Sequence, residues 1–174
     1  MHTQLVMTVI GPDRPGLVSA LSNAIAAGDG NWLDSRMANL AGRFAGILLL
    51  EVPSARVADM RAALQHLEGM GLRIVVEQSA VEAAPADSAR VLKLELIGHD
   101  RPGIVRDISR VLADQQVSIS DFHTARSSSS FSGDAMFKAT ALLRLPADLD
   151  ENALRLSLES LANELMVDLN MHEG

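Results

Sequence analysis

A chain of 174 residues without a single cysteine can hold neither a disulfide nor a thiolate metal site, and it offers no cysteine nucleophile. Its formal net charge of −7 disfavours direct contact with nucleic acid, which requires phosphates to be neutralised. Hydrophobic residues make up 48%, enough for a folded core. No apolar run reaches the length of a membrane span, and Met1-His2-Thr3-Gln4 does not open a signal peptide, so a cytoplasmic location is expected.

Taken in order, Thr3 to Ile10 is expected to form a buried strand. Leu17, Val18, Leu21, Ala24 and Ile25 then fall at helical spacing and predict a helix over 15–27, ended by Gly28-Asp29-Gly30. Asn31 to Asn39 reads as a second strand, Ala41-Gly42-Arg43 as a turn, and Phe44 to Val52 as a third strand. Pro53 stops that strand and Ser54 is placed to cap the next helix, whose apolar face is Val57, Met60, Leu64 and Leu67. Gly69 and Gly71 bracket the end of this helix, and Leu72 to Gln78 forms a fourth strand.

Residues 79–89 lack periodicity and read as a linker between one domain over 1–78 and another over 90–174. The second domain repeats the order of the first. Val91 to Ile97 is a strand, Ile104, Val105, Ile108, Val111 and Leu112 mark a helix, and Val117 to Ala125 is a strand. After the serine run Ser127 to Ser130, Ala135 to Leu145 is a third strand, Leu154, Leu158, Leu161 and Leu165 line a helix, and Val167, Leu169 and Met171 alternate in a last strand. From Asp34 to Pro53 is 19 steps and from Asp121 to Pro146 is 25, so six extra residues fall in the serine-rich hairpin.

Each half therefore reads β-α-β-β-α-β. With right-handed crossovers this gives an α+β, ferredoxin-like unit: a four-stranded antiparallel sheet with both helices on one face. The opposite face carries Val6, Thr8 and Ile10 and needs a cover. Domains of this size bury a modest fraction of their surface, so each half is expected to lean on its twin or on a second chain, and a homo-oligomer is expected.

One stretch occurs twice. Ile10-Gly11-Pro12-Asp13-Arg14-Pro15-Gly16-Leu17-Val18 returns as Ile97-Gly98-His99-Asp100-Arg101-Pro102-Gly103-Ile104-Val105, identical at seven of nine positions and offset by 87 residues. Arg14 and Arg101 precede proline and should be extended. Pro15 and Pro102 suit the first helical position, and Asp13 and Asp100 can accept from the free amides of the first turn. Gly16 and Gly103 let another backbone or a ligand approach closely. Two readings stand: a strand-to-helix turn with a good helix start, or a site for a small anion or amino acid at a helix N-terminus.

These residues resemble ACT domains, small ligand-sensing modules with this element order. The resemblance rests on Gly-X-Asp-Arg-Pro-Gly after the first strand and on Asn31-Trp32-Leu33-Asp34-Ser35-Arg36-Met37 after the first helix. Ala45-Gly46, Ser132-Gly133 to Phe137 and Leu145-Pro146 extend it toward the glycine cleavage system transcriptional repressor family, whose members are two ACT domains. The resemblance implies amino-acid binding at an interface between domains, through the first-strand turn and the start of the second strand. The implied ligand-binding residues are Pro12, Asp13, Arg14, Gly16, Leu17 and Asn31 in the first half. In the second they are His99, Asp100, Arg101, Gly103, Ile104 and Ser118, where a hydroxyl replaces the amide of Asn31. It also implies a small amino acid, glycine or a one-carbon-related metabolite, as ligand. The implied partner is a DNA-binding transcription factor, with no direct nucleic-acid contact and no cofactor. A subunit that senses an amino acid and regulates a separate enzyme is the alternative.

A charge at a helix N-terminus gains about 0.3–1 kcal/mol when exposed and ~2 when partly buried, whereas millimolar affinity needs roughly 4 kcal/mol. The turn alone is therefore too weak, and the ligand is expected between domains. The five histidines (His2, His66, His99, His123, His172) show no metal-ligand spacing. Asp34 and Asp121 match at the repeat offset and can either position a ligand or close a strand-end hydrogen bond. No nucleophile elbow, phosphate-loop lysine or catalytic triad is present, and an enzyme is not expected. RNA-recognition domains share the element order but need exposed aromatics and a basic face; aromatics here are 3%.

Overall fold

The computed structural model describes residues 1–79, 90–128 and 134–173. The chain divides into two compact units, Met1–Glu82 and Ala83–Gly174. The first contains β1 (His2–Pro12), α1 (Leu17–Ala27), β2 (Asn31–Leu40), β3 (Arg43–Pro53), α2 (Val57–Glu68) and β4 (Arg73–Gln78). The second contains β5 (Val91–His99), α3 (Ile104–Asp114), β6 (Ser118–Ser128), β7 (Ala135–Arg144), α4 (Glu151–Leu165) and β8 (Val167–Glu173). The sheets run β2-β3-β1-β4 and β6-β7-β5-β8, with every neighbouring pair antiparallel. This is the expected α+β architecture, formed twice. Apart from Ser79, the expected linker 79–89 lies outside the described residues.

Each core forms where period two meets period 3.6. Leu5, Met7 and Val9 of β1 and Leu48, Leu50 and Val52 of β3 point to one side, against Leu17, Leu21 and Ile25 of α1 and Met60 and Leu64 of α2. In the second unit Leu92, Leu94 and Leu96 meet Ile104, Ile108, Leu112, Leu154 and Leu158. Each such buried side chain contributes about 1.5–3 kcal/mol. Val18 and Val105, expected on the buried faces, are instead 49% and 41% exposed, at matching positions of the two helices.

The bend departs from its expected form. Pro15 and Pro102 do not occupy a first helical position; the helices begin at Leu17 and Ile104. Proline and glycine instead make a turn whose glycine is left-handed, with φ 88° at Gly16 and 91° at Gly103. Neither Asp13 nor Asp100 caps a helix through its side chain. Ser54 is no cap either: it opens a short 3-10 turn, its hydroxyl donates to the Met1 carbonyl at 3.2 Å, and it lies 2.8 Å from the Thr3 hydroxyl. The β2–β3 hairpin closes with two positive φ values, 50° at Ala41 and 75° at Gly42, the geometry that matches strand twist. In the second unit the strands run on to the pair Ser128 and Ala135, and the rest of the serine-rich loop, 129–133, lies outside the described residues. Both second strands carry a bulge, at Leu33 and Ser120, which the sequence reading missed.

The faces away from the helices differ between the units. Val6, Ile10, Ile47, Leu49 and Val75 give the first an apolar stripe, as expected. The second keeps Ile97 and Leu142 but places Lys93, Thr140 and Asn170 where Val6, Ile47 and Val75 stand, with Glu95 in the place of Thr8.

The first glycine of the bend motif has a steric reason. A Cβ on Gly98 would stand 2.7 Å from Val167 Cβ, and one on Gly11 would stand 2.9 Å from the Gly71 carbonyl oxygen. Gly98→Ala should therefore lower unfolding free energy by about 1–3 kcal/mol through overpacking. Gly42→Ala, with nothing within 4 Å of its Cβ, should cost only the left-handed penalty of about 1 kcal/mol. Urea unfolding of the two variants, read as midpoint and slope, checks the order.

Candidate functional site

The first bend is held from below and open above. The Asp13 amide donates to the Gly42 carbonyl at 3.0 Å, fixing the bend to the β2–β3 hairpin, and Gly16 accepts from the Ala20 amide at 2.9 Å. Among the described residues the amides of Leu17, Val18 and Ser19 find no backbone acceptor, and the side chains of Asp13 and Arg14 make no hydrogen bond or ion pair. A Cβ on Gly16 would meet nothing within 4 Å.

The second bend has the same backbone but supplies its own partners. The Asp100 amide donates to the Ala135 carbonyl at 2.8 Å, and the Asp100 carboxylate pairs with Arg126 at 2.8 Å. Asp107, in the first turn of α3, takes Arg101 at 3.0 Å and Arg106 at 2.8 Å. A Cβ on Gly103 would stand 3.0 Å from the Arg106 guanidinium. The position matching Asp107 in the first unit is Ala20, and α1 has no acid in its first turn. A carboxylate from the protein thus sits near the positive end of α3 and none near that of α1.

Asn31 and Ser118 stand far from the bends of their own units. Asn31 pairs with Glu51, which pairs with Gln4, eight residues before Pro12 on β1. Ser118 pairs with Arg144 and so with Val91, eight residues before His99. At ~3.3 Å per residue, each lies about 26 Å from the bend at the other end of the same sheet. The structure therefore brings Pro12, Asp13, Arg14, Gly16 and Leu17 together, and likewise His99, Asp100, Arg101, Gly103 and Ile104, but adds neither Asn31 nor Ser118 within a unit.

The other candidates have local partners. Asp34 accepts from the Ser35 amide at 2.7 Å and from Arg36 at 2.9 Å. Asp121 has no such side-chain partner among the described residues. His66 Nδ1 lies 2.8 Å from the Ala62 carbonyl, and no three metal-ligating side chains converge among the described residues. On the polar face of the second sheet, Lys93 lies 2.6 Å from Glu95. That hydrogen bond, then the lysine charge, holds the Glu95 carboxyl below the ordinary glutamate range; desolvation opposes this, and His172 adds a weaker pull. Its contribution to stability is present above glutamate's ordinary pKa and is lost as pH falls through the lowered one.

A cleft of about 390 Å³ also opens at the bend end of the first sheet, between Ile10, Arg43, Glu68, Gly71 and Arg73. Sequence reading missed it. Its residues come from four elements and share no spacing; the register of β1 with β3 and β4 brings in Ile10, Arg43 and Arg73, and the end of α2 brings in Glu68.

The ACT domain family profile matches residues 3–77 and again 90–172. A UPF0237 protein of Methanopyrus kandleri is 34% identical over 85 residues, covering 47% of this chain and 94% of that protein. A UPF0237 protein of Methanocaldococcus jannaschii is 29% identical over 82 residues, covering 45% and 91%. Among solved structures, an unknown protein from Galdieria sulphuraria is 28% identical with a TM-score of 0.89, over 100% of this chain and 99% of that one. A protein provisionally assigned as a glycine cleavage system transcriptional repressor shares the fold at 18% identity, TM-score 0.69, over 100% and 99%. No described helix is long and apolar enough to cross a membrane. The profile matches each unit almost end to end, and the chain belongs to the ACT domain family.

Proposed function

We propose that this protein is an amino-acid-sensing regulator of glycine cleavage or one-carbon metabolism, acting through contact with a DNA-binding activator rather than on DNA. The observation that carries the reading is the first bend. Three first-turn amides without a backbone acceptor are free to take a ligand's carboxylate, and the unpaired Asp13 of the same bend is free to meet its ammonium group. Those groups fall short of the roughly 4 kcal/mol that millimolar binding requires. Asn31 is remote within the unit, so the remaining wall of the site has to come from outside it. The net charge of −7 supports a basic protein, not a nucleic acid, as partner. The likeness to the provisionally assigned repressor agrees in fold, and the ACT family in ligand class.

A second copy of the chain is the proposed cover for the apolar stripe of the first unit. The cover lies over Val6, Ile47, Leu49 and Val75 and leaves Arg43 and Arg73, at the bend end of the sheet, outside the contact.

Three measurements test this. In a thermal-shift series with glycine and the other amino acids, a ligand at ten times its Kd adds about 1.4 kcal/mol and should raise Tm by a few degrees. Asp13→Ala should abolish the glycine shift, and Asp100→Ala, whose carboxylate is already paired with Arg126, should leave it; the reverse pattern contradicts the proposal. A pull-down from cell lysate should recover a basic DNA-binding protein, whereas a metabolic enzyme in its place points to the regulatory-subunit alternative. Sedimentation velocity should show self-association that Ile47→Glu dissolves; a native monomer rules out the cover.

A further inference from the structure

We infer that the cleft at the bend end of the first sheet is a second small-molecule site, one that takes a zwitterion: a free α-amino acid with an apolar side chain. It is separate from the bend, and only the ligand class is shared with the proposed function. Arg43 opens β3 opposite Pro12, and Arg73 opens β4 opposite Ile10. They therefore flank β1 from either side on the same face of the sheet, with Cα atoms about 12 Å apart by strand spacing and rise. Two arginine side chains over that span can converge on one carboxylate, each offering a planar pair of donors.

Neither guanidinium has a hydrogen bond or ion pair with any described residue. Glu68, at the end of α2, lines the same cleft and is likewise unpaired. Opposite charges that share a cleft without meeting leave a gap for a ligand that carries both. The glutamate discriminates among anions: it repels a phosphate dianion and attracts an ammonium group. Ile10, 45% exposed, and the buried Leu72 supply the apolar surface, while the positive φ of Gly71 keeps one wall free of a side chain. A volume of about 390 Å³ is ample for an amino acid of leucine size.

The second unit is an internal control. Its sheet has the same register, yet Met136 stands where Arg43 does and Asp168 where Arg73 does. Met166 replaces Gly71, and Asn163 replaces Glu68. The fold is built there without the cations, so they serve no requirement of the scaffold.

The test is a titration of the uniformly ¹⁵N-labelled full chain with L-leucine, 4-methylpentanoate and inorganic phosphate, read by amide shifts. Leucine should move the amides of Gly11, Gly71 and Arg73. Arg43→Gln and Arg73→Gln should each weaken it about tenfold or more, the worth of a charge-assisted hydrogen bond. Glu68→Gln should weaken leucine but tighten 4-methylpentanoate, which lacks the ammonium group. All three side chains are exposed, so the variants should fold as the native chain does. Leucine shifts confined to Leu17–Ser19 would overturn the cleft and leave the sensing proposal standing. Phosphate binding tighter than leucine, insensitivity to both arginine substitutions, or no leucine shift at all would also overturn it, and glycine in the thermal-shift series then judges the bend separately.

Discussion

Everything in each unit follows from a left-handed glycine held between a strand and a helix. At φ near +90°, Gly16 and Gly103 adopt a conformation that costs any other L-residue about 1–2 kcal/mol. That conformation turns the chain out of the sheet and starts the helix one residue later, at Leu17 or Ile104. The starting point sets the phase of the helix: Leu17, Leu21 and Ile25 face the sheet only from this register. It also leaves the first-turn amides directed outward at the end of the sheet. The motif's other glycine works by absence of volume, letting β4 or β8 begin against the backbone of β1 or β5. The Asp amide then ties the bend to the adjacent hairpin. Packing and the exposed amides are thus two consequences of one backbone state.

The duplicated scaffold has been put to different uses on its surface. Around the first bend the protein leaves charges unpaired: Asp13, Arg14, Arg43 and Arg73 have no partner among the described residues. Around the second, Asp100, Arg101, Arg106, Asp107 and Arg126 bind one another. These pairs are exposed and each is worth little for stability, about 0–1 kcal/mol. Their effect is occupancy, since a carboxylate already placed near the positive end of α3 competes with any incoming one. The open sheet faces follow the same division, apolar in the first unit and self-paired through Lys93, Glu95 and His172 in the second.

The fold was legible because it rests on local signals. Alternation in Leu5-Val6-Met7-Thr8-Val9, helical spacing from Leu17 to Ile25, and the repeat of the bend are each visible within a dozen residues. The errors share a cause as well. Pro15 reads as a helix start because proline is common there, but the following glycine's left-handed state is set by the whole turn. Ser54 reads as a cap, yet its hydroxyl is taken by Met1 and Thr3, more than fifty residues away in sequence. The bulges at Leu33 and Ser120 leave no trace in composition, because an unpaired residue in a ladder is defined by the partner strand. For the candidate site, the bend was visible as a motif and the arginine cleft was not, since its neighbours are assigned by strand register and by where α2 ends.

Scaffold and function therefore occupy separable positions in this chain. Gly11, Gly16, Gly98 and Gly103 are dictated by sterics and must recur wherever the bend is built. Asp13, Arg43, Glu68 and Arg73 are dictated by nothing in the packing: all four are exposed and unpaired among the described residues. The second unit keeps the Asp of the bend and engages it with Arg126, while it replaces both arginines and the glutamate of the cleft. A residue held in place by the core says how the fold is made. Charges that the core does not need and that the other copy of the same fold discards or neutralises, Asp13 at the bend and Arg43, Glu68 and Arg73 at the cleft, call for a cause outside the folded chain. A ligand with a carboxylate and an ammonium group meets that requirement with the fewest further assumptions.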